Sequence, residues 1–562
     1  SRLVQSDAPK ARIKLDVPFI RQDDNTCAPA SLASIMAYWQ KDVTHEQIAE
    51  AVCYGGTVSH GLRKWVEDFG WFVREFRVTW ESTCALTDRG MPFLLATSDI
   101  GGGHMQVIEG YDAVWNAILI RDPNFRHHRR VPADEFLANY RAFGPRGILI
   151  LPPEEAARGR DLPLACSRDF DRLHRLNLAL EANDRKAAGE EFSGLADEAA
   201  EPFLLYAARL SLAGYDGNAL ETLQCLKAME EDGLDHPLIT WIRLDAEKDW
   251  GDPRARLDRL RSMAERPDAD PAFLALYAME LSADETTYGK ALGLFRRYHS
   301  LRPRDAASLS FFGRQAWMRG DRENGRDLIR FAATCADTVE EYALEYFQAA
   351  GASGQESEAL EVLKERAAAA AGKSSLPSRT LYTAYRSLGD DEEAFAALSR
   401  ARDSRPDDGV LMLFCAYEYA SAGQRGAAAD LLRQAEGRAK ETLLLRTSAC
   451  LAALDGDADG ADSLWRRVAE LEPLALDAHF HLARATAAKD GAAACVAYWN
   501  SCCERLPFHT GFSEQRAIAA LALGEEFAEP YVRDWLALLP GAVVPGCELI
   551  RLILARAAHA EA

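Results

Sequence analysis

Residues 22–39 read Q-D-D-N-T-C-A-P-A-S-L-A-S-I-M-A-Y-W. Leu32, Ile35, Met36 and Trp39 recur at i, i+3, i+4 and i+7, so the spacing predicts a helix with one apolar, inward face. Pro29 suits its first turn, where the missing N–H removes no helical bond. Cys27 therefore stands at a helix N-terminus, where the macrodipole and the unsatisfied N–H groups favour a thiolate over a thiol. That is the setting of a nucleophile. Taken alone, it is equally the setting of a small packing cysteine that happens to begin a helix.

Outward from this helix the pattern is α+β. Residues 17–20 form an extended, strand-like entry that delivers Gln22. Thr44-His45-Glu46-Gln47 is a capping box that opens a second helix toward Val52. A third helix is expected over 59–69, ended by Gly70. From there the period changes to two, predicting strands over 72–78, 93–97, 104–111, 117–121 and 147–151, with one more helix over 133–140. Helices followed by an antiparallel sheet give an α+β domain over residues 1–152.

Two further motifs carry chemistry. Residues 101–112 read G-G-G-H-M-Q-V-I-E-G-Y-D, and residues 118–123 read I-L-I-R-D-P. An antiparallel hairpin centred near residue 114 sets His104 opposite about residue 124 and brings Asp122 within a pleat of it. The carboxylate would accept the Nδ1 proton, orient the ring and stabilise the imidazolium after it takes a proton from Cys27. The side-chain amide of Gln22, with the backbone N–H of Cys27, would donate to the oxyanion of a tetrahedral intermediate. Weighed separately, His104 begins a strand, Asp122 ends one and Gln22 is a polar turn residue; the presence of Cys27 favours the catalytic reading.

Together, Val17-Pro18, Gln22, Cys27-x-Pro29-Ala30, Gly103-His104-x-x-Val107-Ile108-x-Gly110-Tyr111-Asp112 and Arg121-Asp122-Pro123 resemble the bacteriocin-processing, double-glycine-leader cysteine peptidases and their soluble relatives. The resemblance covers almost the whole first domain. It implies a papain-like fold, with Cys27 as nucleophile, His104 as base, Asp122 as its orienting carboxylate and Gln22 in the oxyanion hole. One position departs: Ala28 stands where the family usually has glycine, and its methyl is expected to narrow the groove. The transporter segments to which leader peptidases are fused are not found in the sequence, so an export role is not implied. His45, His60 and His127-His128 carry little expectation of catalysis. The run 126–130, with Arg126, Arg129 and Arg130, is either a solvated loop, a docking patch for the acidic remainder of the chain or a grip for an acidic substrate segment.

Charge divides the 562 residues unevenly. Residues 1–152 hold 17 Lys+Arg against 18 Asp+Glu, and the other 410 hold 48 against 68, so nearly all of the net −21 lies in the second part. Such a surface disfavours nucleic acid and anionic membrane. Twelve cysteines without a C-x-x-C pair point to reduced thiols of a cytoplasmic protein, and no apolar run reaches the roughly 18–20 residues that span a bilayer. No metal-ligand spacing occurs and no cofactor is expected. Ser1 in place of methionine leaves room for a removed targeting segment.

Residues 153–164 are a linker by composition, and beyond them the sequence repeats. Turn markers Gly320, Gly354, Gly389, Gly423, Gly456, Asp490 and Gly524 are spaced by 34, 35, 34, 33, 34 and 34 residues. Five positions on stand small residues (Ala359, Ala394, Ala428, Ala461, Cys495), and nine on stand large ones (Leu363, Leu398, Leu432, Trp465, Trp499). A 34-residue helix–turn–helix period resembles the tetratricopeptide repeat, giving about ten or eleven units over 165–562. The resemblance implies a groove that holds a peptide or protein partner. Pro530, Pro540 and Pro545 mark an atypical C-terminal cap, and the alanine-rich stretch 365–375 a frayed helix end. The combined expectation is a cysteine peptidase whose solenoid binds substrate or partner. The alternatives are a cysteine acyltransferase with the same triad and a catalytically silent peptide-binding scaffold.

Overall fold

In a computed structural model, residues 11–197, 200–248, 251–282, 286–539 and 542–561 are described. Residues 1–10 of the first domain and Pro540 of the expected cap lie outside them. The chain divides into two compact units, one running to Tyr215 and including Ala219–Arg243, the other holding Asp216–Asn218 and the chain from Leu244 onward.

The first unit begins with β1 (Arg12–Lys14), α1 (Cys27–Tyr38), α2 (His45–Val52) and α3 (Ser59–Asp68). Then come β2 (Phe72–Arg77), α4 (Trp80–Thr87), β3 (Phe93–Asp99), β4 (Gly102–Asp112), β5 (Ala117–Arg121), β6 (Arg129–Pro132), α5 (Ala133–Asn139) and β7 (Arg146–Leu151). All ladders are antiparallel, in the order β2-β7-β3-β4-β5-β6, with β1 added on β4. Successive residues of a strand feed opposite faces. Leu94, Met105, Val107, Ile148 and Ile150 pack under Leu32, Ile35 and Met36 of α1, while Phe93, Leu95, Ile108, Leu149 and Leu151 join a second core with Phe76, Ile118 and Ile120.

The expected helix at 27–39 and the Thr44 capping box are present, with both reciprocal bonds of the box made. Three elements differ from the sequence expectation. The N-terminal strand lies at Arg12–Lys14 and ends before 17–20; its last ladder bond is Leu15 N–H to the Glu109 carbonyl (2.7 Å), and Pro18, without an N–H, cannot extend it. Helix α4 fills a stretch without a predicted element; its Thr79–Ser82 capping box uses serine in place of the usual glutamate or glutamine. Strand β6 is an arginine-bearing edge strand, a composition that reads as loop because edges carry charge against aggregation.

Residues 153–164 are pinned to the sheet. They contain a 3-10 turn (Pro153–Glu155) and a short helix α6 (Ala156–Arg160), and Arg74 of β2 donates to the carbonyls of Gly159, Arg160 and Leu162 at 3.1, 2.9 and 2.7 Å. The next helix, α7 (Ser167–Glu181), is held likewise. Arg74 donates to Ser167 Oγ at 2.8 Å, and Arg63 of α3 donates to Asp171 at 2.8 Å. Further along, Ala142 and Phe143 pack with Leu226, Met229 and Ile239. The first unit thus takes in the opening helices of the repeat region.

From α7 onward, eleven successive helix pairs and a final helix, Val543–Glu561, form the all-α repeat architecture among the described residues. Their turns use left-handed glycines at Gly320, Gly354, Gly389, Gly423 and Gly456 (φ +72° to +88°). In the next repeat the left-handed residue is Gly491, one position after the expected Asp490. Asp321, Asp390 and Asp457 follow such glycines and cap the second helices. The small residues Ala359, Ala394, Ala428 and Ala461 are buried where paired helices touch, as are the large residues Leu363, Leu398, Trp465 and Trp499. The alanine stretch stays helical to Ala369 before the loop, and Pro530 lies inside a helix (Glu525–Leu538).

Gly110 sits at the β-bulge of β4, and a Cβ there would lie 2.1 Å from the Ile13 carbonyl oxygen. These are backbone atoms and cannot swing aside, so Gly110→Ala should displace β1. The expected outcome is a loss of about 1–3 kcal/mol, read as a lower urea midpoint of the first unit, together with new protease cleavage ahead of residue 20. An unchanged midpoint and cleavage pattern would show that the close approach holds nothing in place.

Candidate active site

Cys27 is the first residue of α1, and the geometry of that end leaves its N–H groups free for the sulfur. Thr26, at the N-cap, does not cap: its hydroxyl donates to the Asp23 carbonyl (3.0 Å) and accepts from Asp23 N–H (2.9 Å), with the His45 ring at 2.9 Å. The first turn holds no acidic residue, so the positive end of the dipole is unopposed. His45 is thereby a buried structural partner of the turn.

The opposing wall is the start of β4. Strand β5 pairs with β4 only from Val107, opposite Arg121, so residues 102–106 keep one open edge. The N-terminus of α1 occupies it. The Met105 carbonyl accepts Ser31 Oγ–H at 2.9 Å there, and the Cys27 thiol lies 3.9 Å from the Gly103 carbonyl. Ser31, one turn along α1 and buried, is a registering residue that sequence reasoning missed, its only signal being a hydroxyl on an otherwise apolar helix face.

His104 stands between Asp122 and Cys27, with Nε2 3.1 Å from Asp122 Oδ1, while the Cys27 thiol lies 3.9 Å from the Gly103 carbonyl and is felt by the His104 ring. The carboxylate therefore engages Nε2, not Nδ1 as the sequence suggested, which leaves Nδ1 for the sulfur. Asp122 Oδ1 also accepts Asn124 N–H at 2.9 Å, and Oδ2 accepts Arg129 Nη1–H at 3.0 Å. Gln22 is drawn to the same corner by its backbone N–H, which donates to the Pro123 carbonyl at 3.3 Å, and its side-chain oxygen is buried with no hydrogen-bond partner among the described residues. Ala28 does not face the groove: it is buried and packs in the α1 core. His60 lies 3.6 Å from Glu181, and His127 and His128 are exposed between β5 and β6.

The electrostatics follow from these contacts. Burial alone would push the Cys27 thiol up, but the His104 hydrogen bond, the Met105 N–H, the His104 charge and the Ala28 N–H outweigh it and bring it below the ordinary thiol value. Burial opposes charge on His104, yet hydrogen bonds to Asp122 and Cys27 and their negative charge raise it to about 9. Asp122 is held below the usual carboxylate range despite burial, by His104, the Asn124 N–H and Arg129. Elsewhere burial drives thiols the other way: Cys84 and Cys415 to about 12, Cys166 and Cys225 to about 11. Among the described residues no His, Cys and carboxylate group is arranged to hold a metal ion, and no helix is long and apolar enough to cross a membrane.

The model of the Peptidase_C39 like family matches residues 14–148. Among solved structures, the peptidase domain of Streptococcus ComA, a bifunctional ABC transporter of a quorum-sensing pathway, is 20% identical, covering 25% of this chain and 98% of that chain with a TM-score of 0.21. Yeast Tom70 is 12% identical over 70% of this chain and 96% of its own (TM-score 0.36). A tetratricopeptide repeat protein from Parabacteroides merdae is 14% identical over 44% and 98% (TM-score 0.27). No curated protein matches. The family match falls on the papain-like α+β fold and leaves the repeats outside it, so this chain joins a domain resembling the double-glycine-leader cysteine peptidases to a tetratricopeptide-repeat solenoid.

Proposed function

We propose that the protein is a cysteine peptidase acting on a peptide or protein chain. The observation that carries this is the meeting of Cys27, at the N-terminus of α1, with the His104–Asp122 pair at the open edge of β4. The Cys27 thiolate attacks the scissile carbonyl carbon, and the carbonyl oxygen takes the negative charge, facing the Cys27 N–H and the Gln22 amide. Collapse expels the amine, which takes its proton from the His104 imidazolium, and leaves a thioester on Cys27. His104, again neutral, takes a proton from water as that water attacks the thioester; the acid product leaves and the thiolate–imidazolium pair returns. Asp122 holds the ring and stays ionised throughout.

The repeats select or position the substrate chain in this reading. They supply the acidic surface, which favours a basic partner, and the helix-pair stack is of the kind that holds extended segments. A cytoplasmic setting suits cysteines that form no disulfide among the described residues.

Two experiments test it. Iodoacetamide at pH 6 should alkylate Cys27 at least tenfold faster than the exposed Cys547, because the thiol is brought below its ordinary value and the imidazole beside it is raised to about 9. His104→Ala should abolish that advantage. Mass-spectrometric mapping that finds equal rates at the two sites would reject the activated thiolate.

The second concerns the repeats. A chain ended after residue 248 keeps every contact of Arg63 and Arg74 described above. It should retain Cys27 labelling and lose most turnover of the native substrate. A chain ended at residue 163 should lose labelling as well, since it removes Asp171 and Ser167 from those arginines. Native turnover by the 248-residue chain would exclude the recognition role.

A further inference from the structure

We propose that Arg129 is a positioning residue of this site: it shares the charge of Asp122 with His104 and thereby limits how far up in pH the imidazolium survives. The proposal rests on the cysteine-peptidase reading above.

Asp122 is almost fully enclosed, at 1% exposure, and both its oxygens are engaged. Oδ1 serves His104 and the Asn124 N–H; Oδ2 serves Arg129. A buried carboxylate bonded on both oxygens cannot rotate, so the direction of the bond to His104 Nε2 is set in part by the guanidinium on the far side.

Arg129 is itself held in place. It opens β6, where it pairs with Ile120, and its guanidinium lies over the Phe125 ring at 5.6 Å. The ion pair also closes the loop 123–128 at its base. Its basic neighbours have other employment: Arg121 donates to Glu109 at 3.2 Å and to the Arg126 carbonyl at 3.1 Å, and Arg130 lies 3.7 Å from Asp112. Of the run 126–130, Arg129 is the arginine whose side chain bonds a member of the relay.

The sign follows from two cations on one carboxylate. A guanidinium is always charged, so it draws on Asp122 at every pH and repels the imidazolium beyond. The other charged or titratable groups facing the relay are Cys27 from α1 and, after α5, Tyr140, whose hydroxyl donates to Asp99 at 3.2 Å and senses the Arg129 charge. Neither replaces Arg129 on Oδ2. Removing the guanidinium leaves the carboxylate charge to His104 alone, and the imidazolium should persist to higher pH.

Iodoacetate alkylation of Cys27 in the full chain reads this directly. The thiolate displaces iodide from the reagent, and the anionic reagent is favoured while the imidazolium stands beside the sulfur, so the descending limb of rate against pH reports His104. In Arg129→Met that limb should move up by about half a pH unit or more, whereas Arg129→Lys, which keeps a cation, should hold it near the wild-type position. A limb that stays or falls in the Met variant, or one that moves as far in Lys as in Met, overturns the proposal. Loss of Cys27-selective labelling in both variants overturns it too, because the shape rather than the charge of arginine would then be what matters. A wild-type protein without a His104-dependent limb removes the peptidase reading itself; an intact wild-type limb with an unmoved Met limb removes only the role of Arg129.

Discussion

The site depends on one seam, the N-terminus of α1 against the open edge of β4. Two carbonyls of β4 give that seam its register, Met105 accepting from Ser31 at 2.9 Å and Gly103 facing the Cys27 thiol at 3.9 Å. A sheet edge is a row of unpaired donors and acceptors that must be covered or paired. Here the cover is the helix that begins with Cys27, so satisfying the edge and placing Cys27 near His104 are one act. The early end of β5 is what leaves that edge open, and the residue that follows the strand is Asp122. Strand length thus decides where the carboxylate enters.

Much of this was legible in the sequence because periodicity and turn chemistry are local. The hairpin register inferred for His104 and Asp122 agrees with the pairing of Val107 with Arg121, although a bulge between Ile108 and Gly110 shifts the other end by one residue. The shift is absorbed away from the site. The ring nitrogen facing Asp122 was not legible, since it depends on a side-chain rotation that no spacing encodes. Ser31 and Arg129 were hidden for a related reason. Each acts through a contact 74 or 7 residues away, and a hydroxyl in a helix or an arginine in a basic run has many bland uses.

The Ala28 methyl makes the same point from the opposite side. Beside a nucleophile, an added carbon reads as an obstruction to substrate. In the fold the first helical turn faces Cys27 toward β4 and Ala28 into the core, so the methyl adds buried apolar area and leaves the mouth of the site alone. Adjacent helical positions point about 100° apart, and neighbours in sequence need not share an environment.

The boundary between sheet and repeats was the least legible feature, and buried charge explains why. Helix α7 has the same amphipathic pattern as any repeat helix, so pattern assigns it to the array. What binds it to the first unit is Arg63, at 8% exposure, placed among Glu67, Asp171 and Glu75, with Glu75 at 1% and also met by Arg146 at 2.6 Å. A buried charge that loses a partner is costly to the fold, and less so where that partner is itself partly exposed. Asp171 supplies one of these partners from the repeat side. The first repeat helix thus adds a third carboxylate to an arginine already buried beside Glu67 and Glu75, and a folding unit defined by charge contacts extends past the point where the sequence pattern changes.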